Sequence, residues 1–325
     1  MKTFHLLSVI ALAAATLHGQ PTNGPVYWSP VATPPDCTSL AGESPVAITS
    51  GTTTLGYSCW VSGTFVWLAA GGAWGSSIRV AAPASAAIGV DYTFYDTSGN
   101  NLALDTTLGS GNEMSFALHA NQPAEVGLTG AANTNHSTTQ TGSVYATFYC
   151  PDAATCANVL PQLLYSALPT IPWSLSVPIS WDTELWTEWS AEGIDDGGTH
   201  RVSLVVFNEN VTAASYTVQV WDSAGSLAGT GTTPSISAFG TYGALLSDVI
   251  LTPLPPGVFK ILVDGGSKYS AVEVLQFNGT SATALQVGYD SAPSLSASAA
   301  AVLRSNGRSA RMASTPKPVF SGLAK

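Results

Sequence analysis

Alternating apolar and polar positions run through most of the second half of the chain. Six segments alternate with a period of two, namely VSLVVF (202–207), YTVQVWD (216–222), SDVILT (247–252), FKILVD (259–264), AVEVLQF (271–277) and ATALQVG (282–288). Clusters of Gly, Pro, Asn, Asp and Ser bound each segment, as is typical of short β-strands. Six to eight such strands in about 100 residues, without helical periodicity, predict an antiparallel β-sandwich, with a closed barrel as the alternative.

The pattern occurs twice. Shifted by 126 residues, GGAWGSSIRVAAPASAAIGVDYTFYDTSG (71–99) aligns without a gap with GGTHRVSLVVFNENVTAASYTVQVWDSAG (197–225). Near the ends of the copies, residues 145–169 align with residues 269–293 at a shift of 124. Because start, middle and end recur in order, the sequence predicts an all-β protein of two tandem sandwich domains related by internal duplication.

The duplication sets the predicted domain organisation. Lys2 followed by FHLLSVIALAAATL and small residues has the pattern of a secretory signal peptide. The end of the chain is rich in Ser and Ala, is basic and has no apolar period, which predicts disorder. The predicted segments are a signal peptide (1–19), an N-terminal extension (20–62), domain 1 (63–170), domain 2 (171–293) and a basic tail (294–325).

Composition excludes some classes of partner. Only 9% of the residues are charged, against about 25% in typical globular proteins. All twenty Asp and Glu lie within residues 20–293, together with only four Lys and Arg. Such an acidic body repels phosphates and anionic lipids, so nucleic-acid binding is disfavoured. No apolar run reaches the length of about 18 residues that a membrane span needs.

Four cysteines predict disulfides in an exported protein. Three pairings are possible, and we favour Cys37–Cys59 and Cys150–Cys156. The second pair brackets a Pro-Asp turn in CPDAATC, where cross-strand geometry is plausible. A metal site is disfavoured because the C-x2-C spacing and nearby His partners are missing.

Several features of the repeats resemble a known group of proteins. Each copy begins with Gly-Gly, continues through a strand into a YDxxG-like hairpin (FYDTSG, VWDSAG), and the second copy has the late strand AVEVLQF. These features resemble tandem Ig-like β-sandwich repeats of secreted bacterial proteins, which have no settled biochemical function. The resemblance covers about residues 65–293 and brings no catalytic residues. It implies an exported surface or matrix protein.

The two hairpin motifs raise the possibility of an aspartic protease. That chemistry needs two aspartates about 3 Å apart that share a proton. Here Asp96 and Asp222 stand in D-x-x-G, one residue further from the glycine than in D-T-G. An aspartate that opens a turn bonds its own backbone two residues on, and glycine supplies the positive φ. We therefore predict two equivalent turns and no catalytic pair.

Other catalytic patterns are missing from the sequence. G-x-S-x-G, H-E-x-x-H and H-x-H do not occur. The three histidines after the predicted signal peptide are His119, His136 and His200. His200 aligns with Trp74 in the other copy, so it is not a repeated element, and we expect surface or turn positions. The sequence predicts a protein that is not an enzyme.

The most concentrated polar feature is WDTELWTEWSAEGIDD (181–196), at the entrance of domain 2. Its carboxylates are candidate calcium ligands, and its tryptophans are candidate sugar-stacking residues. The alternative is that the tryptophans fill the domain junction while the acids face water. The candidate binding residues are Trp181, Trp186 and Trp189, and the candidate calcium ligands are Asp182, Glu184, Asp195 and Asp196.

These observations predict a secreted, non-enzymatic structural or adhesive protein of the cell surface or extracellular matrix. The alternative is a carbohydrate-binding module that uses the junction tryptophans. The expected partner is an extracellular protein or a glycan. No cofactor is expected, apart from calcium at the acidic junction.

Overall fold

The computed structural model describes residues 30–40, 44–50, 52–167, 174–182, 186–195, 201–277, 282–285 and 287–289. The predicted signal peptide (1–19) and tail (294–325) lie outside these residues. The described chain is built almost entirely of antiparallel strands arranged in four sheets. This confirms the predicted all-β sandwich fold. Neither helix in this part of the chain has the length and apolarity needed to cross a membrane.

The first sandwich contains two sheets. Sheet 1A has the strand order β1-β2-β9-β4-β7, with β12 also paired to β2, and sheet 1B has the order β11-β10-β3-β8-β5-β6. The elements are β1 (Val46–Ser50), β2 (Thr53–Ala70), β3 (Trp74–Ala81), β4 (Ile88–Asp96), β5 (Leu104–Thr106), β6 (Gly109–Gly111), β7 (Glu113–Leu118), β8 (Pro123–Ala131), β9 (Gln140–Cys150), α1 (Ala153–Ala157), β10 (Gln162–Ala167), β11 (Ser174–Pro178) and β12 (Ser180–Trp181).

The second sandwich also contains two sheets. Sheet 2A has the order β16-β15-β18-β13-β21, and sheet 2B has the order β17-β14-β19-β20. The elements are β13 (Glu188–Asp195), β14 (Arg201–Asn208), β15 (Thr217–Trp221), β16 (Leu227–Thr232), β17 (Thr241–Leu245), α2 (Leu246–Val249), β18 (Gly257–Asp264), β19 (Ser270–Phe277), β20 (Ala282–Leu285) and β21 (Val287–Tyr289).

The two sandwiches share one topology. The run β2-β9-β4-β7 of sheet 1A matches β13-β18-β15-β16 of sheet 2A, and β11-β10-β3-β8 of sheet 1B matches β20-β19-β14-β17 of sheet 2B. In this match β3 corresponds to β14 and β4 to β15, as the alignment of residues 71–99 with 197–225 predicts. The duplication is therefore visible in the order of the strands.

The second predicted alignment, of residues 145–169 with 269–293, is wrong. It superimposes the end of β9 on β19, but β9 lies in the middle of sheet 1A and β19 in the middle of sheet 2B. The topology instead matches β9 with β18 and β10 with β19. Helix α1 lengthens the connection after β9, whereas α2 lengthens the connection before β18. In the topological match β10 begins at Gln162 and β19 at Ser270, so the shift there is 108 residues, and the similarity at a shift of 124 is coincidental.

The first sandwich includes segments that precede and follow the predicted domain 1 (63–170) in the sequence. Strands β1 and β2 begin within the predicted extension, and Cys59 of β2 lies opposite Cys150 of β9. Strand β11 pairs with β10, and β12 pairs with β2, although both follow residue 170. By strand pairing, the first sandwich therefore runs from residue 46 to residue 181.

Two predicted strands of the second copy differ in the structure. Residues 247–252 do not form a strand, because Leu246–Val249 is the short helix α2. Leu246 and Val249 are both buried, and the spacing of three residues along a helical turn brings both into the second core. The segment 282–288 is divided into β20 and β21, which pair with β19 and β13 and so belong to different sheets.

Each sandwich has its own apolar core, to which alternate residues of the facing sheets contribute. In the first core the ring of Tyr92 packs edge-on against Phe116, with ring centroids 5.6 Å apart. In the second core Tyr216 and Phe259 are the largest fully buried side chains near Val218. The period of two in the sequence correctly marks these inward positions.

Sheet 2B is buried on both of its faces. In β14, Leu204 and Val206 face the second core, whereas Val205 and Phe207 face the first sandwich. There the latter two form an interface cluster with Val66 and Ala271. The continuous apolar run LVVF in β14 is explained by this double burial.

A hydrogen bond also joins the two sandwiches at this interface. The hydroxyl of Thr241 in β17 donates to the carbonyl of Val66 in β2 at 2.8 Å. Both groups are buried, so the bond satisfies a carbonyl that water does not reach. Polar and apolar contacts therefore both hold sheet 2B against sheet 1A.

Candidate functional site

The two Asp-x-x-Gly motifs are hairpin turns, as predicted. Asp96 Oδ1 accepts hydrogen bonds from the amides of Ser98 and Asn100 at 2.8 and 2.9 Å. Asp222 Oδ1 accepts equivalent bonds from Ala224 and Ser226 at 2.9 and 2.8 Å. Gly99 and Gly225 have φ values of 81° and 78°. Each carboxylate thus closes its own turn.

The first of these turns has an additional contact. The carbonyl of Thr97 accepts a hydrogen bond from the amide of Thr241 at 3.0 Å. A Cβ atom on Gly99 would lie 2.6 Å from the carbonyl oxygen of Ala238, whereas one on Gly225 would have no neighbour within 4 Å. The turn of the first copy therefore docks onto the second sandwich, and its twin does not.

This difference predicts unequal costs for two matched substitutions. Gly225→Ala places alanine at a positive φ, which costs roughly 1–2 kcal/mol. Gly99→Ala adds a backbone clash with the second sandwich, so we expect its loss in free energy of unfolding to be roughly twice as large. Urea unfolding monitored by circular dichroism measures both. Equal losses would show that the turn contributes nothing to docking.

The structure separates the three predicted binding tryptophans. Trp189 is buried in the second core, where its Nε1 donates to the carbonyl of Ser270 at 2.8 Å. Trp186 packs against the same core and forms an isolated bridge with Ser270. Trp181 lies in β12 on the first sandwich, with its ring centroid 6.0 Å from that of Phe148. They form no shared aromatic strip.

Trp181 lines a groove with a volume of about 290 Å³ at one end of the first core. Leu40, Leu160 and Val61 provide apolar walls, and Ser39 provides an exposed hydroxyl group. Leu160 is 78% exposed. None of the described residues that line the groove is charged. The groove therefore suits a neutral ligand that presents a flat apolar face to the indole.

Asp182 is buried behind this groove. Its Oδ2 accepts hydrogen bonds from Ser62 Oγ and Tyr145 Oη, both at 2.8 Å. Its backbone amide donates to the carbonyl of Ser62 at 3.0 Å. The carboxylate therefore ties the end of β12 to sheet 1A and helps to position Trp181.

The predicted calcium ligands are only partly described. Glu184 and Asp196 lie outside the described residues, and Asp195 is described only by its backbone, which pairs with Gly257. Among the described residues, no group of three or more His, Cys, Asp or Glu side chains is placed to hold a metal ion. The calcium hypothesis stays a prediction.

Both favoured disulfides are present, Cys37–Cys59 and Cys150–Cys156. Cys59 and Cys150 are direct cross-strand partners in sheet 1A, so the two bridges meet at one place. The first bridge holds the segment before β1 against β2, and the second connects β9 to helix α1. The two bridges therefore fix the parts of the chain around Leu40 and Cys156, which line the groove.

His136 and Asp105 form a His–carboxylate pair, with 2.7 Å between Nε2 and Oδ2. His136 is a loop residue with a φ of 56°, and Ser110 also donates to Asp105. Hydrogen bonds from Ser110 and His136 lower the pKa of Asp105. The pair connects the loop after β8 to β5, which agrees with the predicted turn position of this histidine.

Two buried carboxyl groups with raised pKa values were not among the predicted site residues. Burial raises the pKa of Asp91 to about 7, with a further contribution from Glu113 and an opposing hydrogen bond from Ser115. Burial also raises the pKa of Glu273 to about 8. A usable signal was an acid within an otherwise apolar strand, as in GVDYTFY and AVEVLQF. Alternation within a strand does not show whether the second face of its sheet is covered, so the burial of both residues became visible only in the structure.

Comparisons with known proteins do not assign the chain to a family. No protein-family model matches it, and no curated protein matches it. Among solved structures, an anti-sigma factor domain-containing protein from Clostridium clariflavum aligns at 7% identity over 74% of this chain and 88% of its own. The TM-score is 0.13, which carries no argument about fold or function. The resemblance to secreted Ig-like repeats stays a prediction.

Proposed function

We propose that this protein is an exported, non-enzymatic structural or adhesive module of the cell surface or extracellular matrix. The observation that carries the proposal is the packing of two sandwiches through sheet 2B, which is buried on both faces. Such packing holds loops and sheet edges of both sandwiches in one fixed arrangement, as the presentation of a surface to a partner requires. The partner is an extracellular protein or glycan.

Two further features support the extracellular location. Disulfides persist in oxidising compartments, and both predicted bridges form. The first residues have the pattern of a secretory signal peptide. The few charged residues of the body are mostly acidic, which favours solubility over attachment to phosphates or anionic lipids.

Cell fractionation combined with a surface-attachment assay tests this function. We expect the mature chain in the extracellular or surface fraction, and we expect deletion of residues 1–19 to retain it inside the cell. A strain that lacks the gene should attach less to surfaces and grow normally, and the full-length gene should restore attachment. An intracellular location, or unchanged attachment, would contradict the proposal.

The groove at Trp181 favours a second candidate function, the binding of a neutral carbohydrate. The indole can contact the apolar face of a sugar ring, and the exposed Ser39 hydroxyl can bond one of the hydroxyl groups of the sugar. Binding to a glycan array, with a change in tryptophan fluorescence, tests this candidate. Trp181→Ala should abolish the binding. Trp221→Ala, at a half-buried tryptophan in a different sandwich, is the control that should preserve it.

A further inference from the structure

Glu273 lies in the middle of the interface between the two sandwiches. It belongs to β19, pairs with Val205 of β14 and is flanked on its own strand by Ala271. Both of these neighbours belong to the interface cluster. Only 8% of Glu273 is exposed, and its Oε1 has no hydrogen-bond partner among the described residues. A carboxyl group is therefore enclosed by apolar contacts of both sandwiches.

The hydrogen bonds around Glu273 give little compensation for a charge on its carboxyl group. Its Oε2 lies 3.4 Å from the hydroxyl oxygen of Tyr165 in β10. That hydroxyl has a single hydrogen, which it donates in a shorter bond to the carbonyl of Trp67 in β2. The tyrosine hydroxyl therefore offers Glu273 only a long second hydrogen bond, which compensates little of the cost of burying a carboxylate charge.

Few groups near Glu273 could compensate an ionised carboxylate. Tyr165 is the titratable side chain that faces it from β10, and Trp67 and Val66 of β2 have no charge. Strand β17 contributes Thr241 and Gly243, which contact Val66 and Trp67. On sheet 2B itself, Arg201 is the charged residue on this side of β14, and it is exposed at the start of the strand. Further neighbours are apolar, namely Ala271, Leu275, Ala282 and Ala284.

We infer that the contact between the two sandwiches is coupled to one proton on Glu273. When the interface closes, the carboxylate takes a proton from solvent and becomes a neutral carboxyl group. When the interface opens, the carboxyl group meets water and releases that proton. The contact is thus tightest in acid and loosens as the pH rises, whichever function the protein serves.

The pH range follows from the two protonation states. The ordinary pKa of a glutamate is 4.5, and burial raises the pKa of Glu273 to about 8. The stabilising effect of the bound proton is complete below pH 4.5 and is lost as the pH rises to about 8. Between these two pH values the opening constant, which is the equilibrium constant for separating the two sandwiches at the interface, should rise roughly tenfold per pH unit. Above the higher value it should level off.

Hydrogen–deuterium exchange of the full chain tests this coupling. Exchange rates are measured for peptides from β14 and β19 and are corrected for the intrinsic pH dependence of amide exchange. Between about pH 5 and 8 these corrected rates should rise roughly tenfold per pH unit, in addition to any pH effect that all variants share. Glu273→Gln retains the shape of the side chain but cannot release a proton. In this variant the slope of the logarithm of the exchange rate against pH should be lower by one. Glu273→Met, an apolar residue of similar length, should do the same.

Asp91→Asn is the matched control, because Asp91 is a buried carboxyl group of sheet 1A outside the interface cluster. Introduced into both the wild type and the Glu273→Gln variant, this substitution should leave the difference between their slopes unchanged. Identical slopes in wild type and Glu273→Gln would overturn the inference. So would a wild-type opening constant that does not change across this pH range.

Discussion

At pH 7, Asp91→Asn is expected to raise the free energy of unfolding by on the order of 3 kcal/mol. Asp91 is 6% exposed, and its described hydrogen bond comes from Ser115 Oγ at 2.9 Å. Its pKa rises from 3.8 to about 7 because burial penalises the charge and Glu113 repels it. Asparagine keeps an acceptor for Ser115 and avoids the cost of holding an acid neutral.

The pH dependence gives this prediction a definite sign. The folded protein retains the Asp91 proton to a higher pH than the unfolded chain does. The stability associated with that proton is therefore complete below pH 3.8 and is lost as the pH rises to about 7. The advantage of Asp91→Asn should be absent in acid, grow across this range and stay constant above it.

Denaturant unfolding of wild type and variant between about pH 3 and 8 measures the effect. Asp222→Asn is the control, because Asp222 closes an exposed turn and asparagine retains the accepting oxygen. A Glu113→Gln background should reduce the gain, since it removes the neighbouring carboxylate. An Asp91→Asn protein no more stable than wild type at neutral pH would show that Asp91 is not destabilised by burial.

Phe207→Ala is expected to lower the free energy of unfolding by about 3–5 kcal/mol, as large-to-small changes of buried aromatic residues do. Phe207 is 2% exposed and contributes to the interface cluster with Val66, Val205 and Ala271. Its ring lies on the face of β14 that contacts the first sandwich. The loss should therefore weaken the coupling between the sandwiches more than either core.

Differential scanning calorimetry distinguishes this effect from general destabilisation. Wild type should unfold in one transition, and Phe207→Ala should show two separated transitions. Phe207→Leu conserves most of the apolar contact and should cost less than about 1.5 kcal/mol. Val258→Ala, at a 50% exposed position of β18, should change little. A single transition in Phe207→Ala would contradict the view that this side chain couples the two sandwiches.

Much of the local architecture could be predicted because its determinants are local in the chain. The alternation in YTVQVW needs only neighbouring residues to define the strand that became β15. The turn at Asp222 and Gly225 depends on one carboxylate, a short stretch of backbone and a positive φ. The bridge Cys150–Cys156 joins residues separated by a single short turn and the start of a helix.

The candidate site was less predictable because tryptophans close together in sequence serve different sheets. Trp189 reaches the second core, whereas Trp181, eight residues earlier, pairs with β2 of the first sandwich. No local sequence pattern indicates that the chain passes from the first sandwich to the second between these two tryptophans. The groove also needs Leu40 and Leu160, which are distant in sequence and are brought together by the fold and its disulfides.

By itself, the sequence determined the repeated β-sandwich, its paired turns and an acidic, disulfide-bearing body, because strand period, turn chemistry and cysteine count are properties of short segments. Only the tertiary structure decided which sheet faces are covered. Val205 of β14 is apolar because the first sandwich lies against it, and Glu273 is buried for the same reason. Whether a sheet face is covered depends on residues more than a hundred positions away in the sequence. The alternation of apolar and polar residues within one strand contains no information about those distant residues.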